Sequence, residues 1–198
     1  MRLFSYIHRE GWKFASISFL MSVLLTFVWL PLGFLSFIKT FFILWFFRDP
    51  ERKTPQINNS IISAADGKIC LIDKAYLPEE AGLGEVQMKR VCVFMNVLNV
   101  HVNRSPINGI VEKVIYKSGS FFNASLDKAS EKNERSSLVL KTTTGTQIVV
   151  VQIAGLIARR ILSFVKPKDN LSAGERFGLI RFGSRVDIYL PLDAEIKC

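Results

Sequence analysis

The sequence is short of the residues that build metal sites and disulfide frameworks. Its 198 residues include two histidines, His8 and His101, and three cysteines, Cys70, Cys92 and Cys198. An odd cysteine count with no Cys-x-x-Cys pair argues against a disulfide scaffold and against zinc, and fits a reducing compartment. Glycine-rich phosphate loops are missing too: Gly82 and Gly84 match neither the P-loop nor the dinucleotide fingerprint. There is no internal repeat and no low-complexity tract. Acidic residues are the minority, 17 against 26 basic ones, for a formal net charge of +9. That surplus suits an anionic partner, either nucleic acid or an anionic membrane.

What the sequence has in abundance is apolar surface. Hydrophobic residues make up 49% of the chain, and mean hydropathy is +0.25, high for a protein soluble throughout. The excess lies before Arg48. From Phe14 to Phe47 the only charge is Lys39. This favours a membrane over nucleic acid. The stretch is too long for a secretory signal core, and no small-residue cleavage site follows it. Pro31-Leu32-Gly33 divides it into arms of 17 residues (Phe14–Leu30) and 14 residues (Phe34–Phe47). As helices these reach about 25 and 21 Å, short of a ~30 Å hydrocarbon core. Arg2, Arg9 and Lys13 precede the stretch, and Arg48, Arg52 and Lys53 follow it. Basic flanks on both sides place both ends in the cytoplasm. A re-entrant helical hairpin over residues 1–50 is the expectation. A single tilted span of about 25 residues with an interfacial second helix is the alternative.

After a linker at Pro50–Pro55 the pattern changes to short Val- and Ile-rich runs punctuated by Gly, Asn and Asp. Strands are expected at Lys68–Ile72, Val86–Met95, Gly109–Tyr116, Ser137–Thr142, Gln147–Ile153, Phe177–Arg181 and Arg185–Leu190. Residues 51–198 thus read as a mainly β domain, a sandwich or barrel-like sheet. Asp66-Gly67 and Asn108-Gly109 read as tight hairpin turns, and Leu156–Phe164 as one helix. Ser118–Ser136 is a long polar loop of the kind that is often functional. Its Phe121-Phe122 pair favours burial in protein or lipid.

The chemistry gathers at Arg181-Phe182-Gly183-Ser184-Arg185-Val186-Asp187, where two apolar runs meet. A plain turn between strands is one reading. The other is chemical. Gly183 leaves its carbonyl carbon open to close approach, and the Ser184 hydroxyl can attack it, replacing the peptide bond with an ester. β-Elimination of that ester leaves dehydroalanine, which hydrolyses to a pyruvoyl group. Such a reaction needs a base near neutral pH, and histidine suits. His8 precedes the apolar stretch, so His101 is the histidine placed for it; a hydrogen-bonded structural histidine is the plain alternative. Asp66 is the candidate to orient the imidazole, as a carboxylate does in serine hydrolases. Arg159, Arg160, Lys166 and Lys168 form a basic cluster suited to a solvated face or to an anionic bilayer.

Five words occur in order: Phe46-Phe47-Arg48-Asp49-Pro50-Glu51-Arg52, Ser63-Ala64-Ala65-Asp66-Gly67-Lys68, Asn99-Val100-His101-Val102-Asn103-Arg104-Ser105-Pro106, Asn133-Glu134-Arg135 and Phe182-Gly183-Ser184. Together they resemble the short subfamily of phosphatidylserine decarboxylase proenzymes, to which archaetidylserine decarboxylases are close. The resemblance covers nearly the whole chain from Phe46. It implies a membrane enzyme of phospholipid biosynthesis that cleaves itself between Gly183 and Ser184. A large chain, 1–183, would stay paired with a small chain, 184–198, bearing a pyruvoyl group made from Ser184. No metal and no pyridoxal phosphate are implied. The reaction would convert phosphatidylserine to phosphatidylethanolamine at the cytoplasmic face of the cell membrane. Diacyl and archaeal ether lipids both remain open, as does homo-oligomerisation.

The resemblance carries the orienting role onto Asp66 through Ser-Ala-Ala-Asp-Gly. Larger relatives have His-x-x-His-x-Pro, with the second histidine in the charge relay. Aligned on Pro106, this chain has His101 at the first position and Arg104 at the second. Arginine is no base. Arg104 is instead a candidate for the substrate's carboxylate or phosphate, with Glu134 and Arg135 as further substrate-binding candidates. Two other readings stand beside this one: a non-enzymatic anchored β domain that binds anionic lipid or a partner, and a pyruvoyl decarboxylase for a different amino-acid-derived substrate.

Overall fold

A computed structural model describes residues 6–55, 57, 60–124, 131–156, 160–181 and 184–197. The chain divides into two compact units, Met1–Arg52 and Lys53–Cys198.

The first unit is a helical hairpin of α1 (Arg9–Val28) and α2 (Leu30–Phe46). His8 caps α1, its Nδ1 accepting from the Glu10 backbone N–H at 3.3 Å. The break falls at Trp29, whose backbone is extended, and not at Pro31-Leu32-Gly33. Pro31 lies in the first turn of α2, where its missing N–H has no helical partner to lose. The arms are therefore longer than expected, 20 and 17 residues, or about 30 and 26 Å. Ser18, Ser22, Ser36 and Thr40 line the buried seam, with Ser18 Oγ and Thr40 Oγ1 2.8 Å apart and Ser22 Oγ donating to Ser36 Oγ at 2.9 Å. Gly33 lets the helices touch: a Cβ there would lie 2.2 Å from Thr26 Cγ2. Phe27, Leu30, Phe34 and Phe41 face outward. Small polar groups inside and large apolar ones outside is the pattern of helices packed in lipid. At the base, the His8 N–H donates to the Phe47 carbonyl at 2.8 Å and the Asp49 N–H to the Tyr6 carbonyl at 2.6 Å. Both ends of the hairpin thus emerge together.

The second unit is mainly β, with a short 3-10 turn at Glu79–Ala81. A seven-stranded antiparallel sheet runs β1 (Lys68–Tyr76), β2 (Gln87–Met95), β10 (Ser184–Leu190), β6 (Gln147–Ala154), β5 (Arg135–Lys141), β4 (Gly109–Lys117), β8 (Asn170–Leu171). A smaller sheet runs β3 (Val102–Arg104), β9 (Arg176–Ile180), β7 (Ile161–Ser163). One core joins them, with Met95, Val186, Val150 and Leu138 from the large sheet and Ile161, Phe177 and Ile180 from the small one. The opposite face of the large sheet has its own cluster, in which Val149, Val151 and Tyr189 pack under Leu77 and Ala81. With both faces covered, β6 and β10 are buried almost end to end, so their apolar runs are continuous rather than alternating.

All seven expected strands are present, with ends shifted by a few residues. β3, β7 and β8, of two or three residues, were not expected. The helix expected at Leu156–Phe164 is replaced by β7 over Ile161–Ser163; residues 157–159, including Arg159, lie outside the described set. Neither expected tight hairpin forms. Asp66-Gly67 is a bend leading into β1, and Asn108-Gly109 carries the chain from β3 in one sheet to β4 in the other. A turn dipeptide bends the chain, but pairing of the flanking strands decides whether a hairpin results. A true tight turn joins β5 to β6, with Gly145 at φ 86°. In the long loop Phe121 packs on the core while Phe122 is exposed; residues 125–130 lie outside the described set.

Candidate active site

Ser184 opens β10, the strand held on both edges by β2 and β6. Its direct neighbours are Met95 and Ala154. Alternation along β10 puts its side chain with Val186 and Ile188, facing the small sheet. Ser184 is fully buried, and its Oγ has no hydrogen-bond partner among the described residues. Phe182 and Gly183, the other half of the expected cleavage point, lie outside the described residues.

His101 lies between β2 and β3 and is fully buried. Its Nδ1 is 3.0 Å from the Asn99 carbonyl. A carbonyl only accepts, so Nδ1 carries a proton in this contact. The His101 carbonyl accepts from the Ile180 N–H at 3.2 Å. Ile180 ends β9, four residues before Ser184, so the chain passes His101 as it leaves the small sheet for the large one. The bend that carries Asp66 is held by two contacts, made by its neighbours Ala64 and Gly67. The Arg104 N–H donates to the Ala64 carbonyl at 2.9 Å, tying the Ser63–Gly67 bend to β3. Gly67 crosses β2 so tightly that a Cβ would sit 2.3 Å from the Phe94 carbonyl oxygen. Phe94 precedes Met95, the residue facing Ser184. The Ser63–Gly67 bend thus lies against β2 one residue from the Met95 that faces Ser184, and His101 meets the strand that leads to Ser184 through its backbone.

The family model for phosphatidylserine decarboxylase matches residues 39–198. The chain belongs to the phosphatidylserine decarboxylase family. It is accordingly an enzyme, a carboxy-lyase, and phospholipid is its substrate class. The match begins inside α2 and covers the whole β unit.

For a phosphatidylserine decarboxylase, the remaining expected residues divide by face. Arg104, half-buried, donates from its guanidinium to the Gly174 carbonyl at 3.0 Å. Glu134 is one residue ahead of β5, and its carbonyl accepts from the Ala154 N–H at 2.9 Å. It stands two strand spacings from Ser184, about 10 Å, in the same row. Tyr116 lies near its carboxylate, and the Tyr116 hydroxyl titrates above its usual range through desolvation first and through Glu134 second. Arg135 shares the row of Ile153 and Arg185, which belongs to the opposite face. There it pairs with Glu80 through both Nε and Nη2. Burial alone would raise the Glu80 carboxyl, but the Arg135 hydrogen bond and charge hold it below the usual carboxylate range. Of the basic cluster, Arg160, Lys166 and Lys168 are exposed.

Sequence reasoning missed three features of this decarboxylase fold. Asn133, buried, donates to the Ala154 carbonyl at 2.7 Å and the Phe122 carbonyl at 2.8 Å, closing the long loop onto the strand beside Ser184. Gln152 and Asn103 meet above β10; a lone glutamine within Ile-Val-Val-Val-Gln-Ile was the available signal. Arg185 and Asp187 form a fully buried pair on the face opposite Ser184, Nε to Oδ1 at 2.6 Å and Nη2 to Oδ2 at 2.8 Å. Cys92 lies opposite Asp187, and burial first, then that carboxylate, push its thiol well up, so it is inert. Arg185→Leu strands a carboxylate in the core and is expected to cost about 3–5 kcal/mol, whereas Arg185→Leu with Asp187→Leu recovers most of that loss. Denaturant unfolding in a Ser184→Ala background checks this without interference from cleavage.

Proposed function

We propose that the protein cleaves itself between Gly183 and Ser184 and uses the resulting pyruvoyl group to decarboxylate phosphatidylserine to phosphatidylethanolamine. The observation that carries this is the Ser184 hydroxyl, buried without a hydrogen bond to any described residue at the head of a central strand, with His101 where the chain approaches it. His101 Nε2 takes the hydroxyl proton while the Asn99 carbonyl fixes the ring through Nδ1. Asp66 supplies negative charge at the same sheet end, favouring the imidazolium that forms. Serine is the residue type that can yield a pyruvoyl group at this position, so the residues present fit the group. Once formed, that group accepts the electrons released as carbon dioxide leaves. The protonated His101 then returns a proton to the product.

The fold accommodates the cut. Residues 184–190 pair with β2 on one edge and β6 on the other, and Arg185 and Asp187 anchor the new terminus from beneath. A small chain 184–198 is thereby retained by the large chain 1–183. Arg104 binds the substrate's carboxylate or phosphate through its planar fork, with Glu134 in the same row as Ser184. Arg135 holds the start of β5 through Glu80. The non-enzymatic reading is displaced by the family membership. Assay of purified protein on phosphatidylserine, with and without Ser184, tests the reaction: release of carbon dioxide and formation of phosphatidylethanolamine should both require Ser184.

The hairpin enters the membrane from the cytoplasmic face and returns to it. Its outward residues are large and apolar, its two ends are hydrogen-bonded together, and basic residues flank both. Single cysteines at Tyr6 and Arg48 are expected to react with an impermeant thiol reagent from the same, cytoplasmic side. Labelling from opposite sides contradicts the hairpin and favours a single span.

A further inference from the structure

Met95 of β2 and Gln152 of β6 flank β10 on the face that Ser184 shares. One side chain reaches both. Asn103 of β3 accepts from Gln152 Nε2 through Oδ1 at 2.7 Å and turns its Nδ2 toward the Met95 sulfur at 3.7 Å. A carboxamide tied to β2 at one end and to β6 at the other lies above the strand between them. That strand is β10, and the residue facing Met95 is Ser184. Gly178, opposite Asn103 on β9, keeps the space open: a Cβ there would come within 2.6 Å of Gln152 Nε2.

Two features single out this amide. Asn103 is fully buried, and its nitrogen points at a thioether, a weak acceptor. Ser184 Oγ, equally buried, has no partner among the described residues. A buried donor and a buried acceptor left in this state both destabilise the fold. Their juxtaposition at the reacting residue gives them a use.

We propose that the Asn103 carboxamide is the hydrogen-bond donor to Oγ of residue 184 during maturation, held in place by Gln152. The inference rests on the self-cleavage reading. After the Ser184 hydroxyl attacks the preceding carbonyl, Oγ becomes the bridging oxygen of an ester. In the elimination, a base takes the Cα proton of residue 184, and that electron pair forms the Cα=Cβ bond. The Cβ–Oγ bond breaks, and its pair departs with Gly183 as a carboxylate that retains Oγ. Water then hydrolyses the dehydroalanine, releasing ammonia and leaving the pyruvoyl group. Negative charge grows on Oγ as that bond breaks. A neutral N–H turned from the Met95 sulfur to this oxygen, in a site closed to water, stabilises this transition state more than the ester before it.

Two substitutions test the role. Asn103→Leu keeps the bulk, and Asn103→Asp keeps the shape and Oδ1 while removing the N–H. Both are expected to form the small chain about a hundredfold more slowly than wild type and to accumulate the ester. Hydroxylamine cleaves that ester between residues 183 and 184 and frees a small chain with an unblocked Ser184 amine, which mass spectrometry separates from the pyruvoyl-blocked product. Gln152→Leu should show the same signature more weakly. Thermal unfolding identifies which variants are folded. Processing within a few fold of wild type in a folded Asn103 variant overturns the inference. Slow processing with no hydroxylamine-labile ester also overturns it and leaves Asn103 a packing role. A wild-type chain that never splits at Ser184 defeats the maturation reading itself, so the two failures are distinguishable.

Discussion

Ser184→Ala is expected to remain one uncleaved chain with decarboxylation at background. Alanine has no Oγ, so no ester forms, no elimination follows and residue 184 never becomes an N-terminus. The loss is complete rather than graded, because the same side chain is both nucleophile and precursor of the catalytic group. The fold should not suffer. The hydroxyl is fully buried and has no partner among the described residues, and removing an unsatisfied buried polar group is neutral or stabilising. The variant should therefore unfold at the same denaturant concentration as an uncleaved wild-type chain, or a higher one. Intact mass and an unfolding curve check both halves.

His101→Ala is expected to slow cleavage by about 10²–10⁴-fold, the usual worth of general-base help. His8 belongs to the other unit, so His101 is the histidine of the β unit. Its alanine variant also leaves a cavity in a fully buried position. His101→Gln is the better comparison: it keeps polar bulk beside the Asn99 carbonyl and cannot take the proton. The kinetic loss should persist in it. Asp66→Asn should slow cleavage too, with the fold retained, because the amide cannot supply the negative charge that favours the imidazolium. Measured by the rate at which the small chain appears, normal processing in a folded His101→Gln variant would remove His101 as the base.

Much of the fold was legible because its strongest signals are local. The central strands are Val- and Ile-rich runs bounded by turn residues, and each of the seven could be read to within a few residues. β3, β7 and β8 could not. Strands of two or three residues carry no periodicity, and they pair only because β9 and β4 are there to receive them. Ala-Arg-Arg-Ile-Leu suggested a helix by propensity, and pairing of Ile161–Ser163 with β9 overrode it. The helix break moved because Pro31 is as acceptable in a first turn as in a loop. At the site, Ser184, His101 and Asp66 stood out by residue type within recognisable words. Asn103 stood inside the same word as His101 and drew no attention, because its significance lies in spanning from Met95 to Gln152, a long-range fact. Arg185 and Asp187 carried no reading of their own in the sequence, since nothing local shows that both faces of β10 are covered.

The central claim is that residue 184 carries the group that meets the lipid. The most direct measurement is reductive trapping: borohydride is added to the enzyme with phosphatidylserine, and the chains are separated and weighed. The account expects the lipid to be joined covalently to the small chain beginning at residue 184, with nothing trapped on Ser184→Ala. Lipid joined to a lysine, or activity that survives loss of the residue-184 group but requires added pyridoxal phosphate, would contradict it.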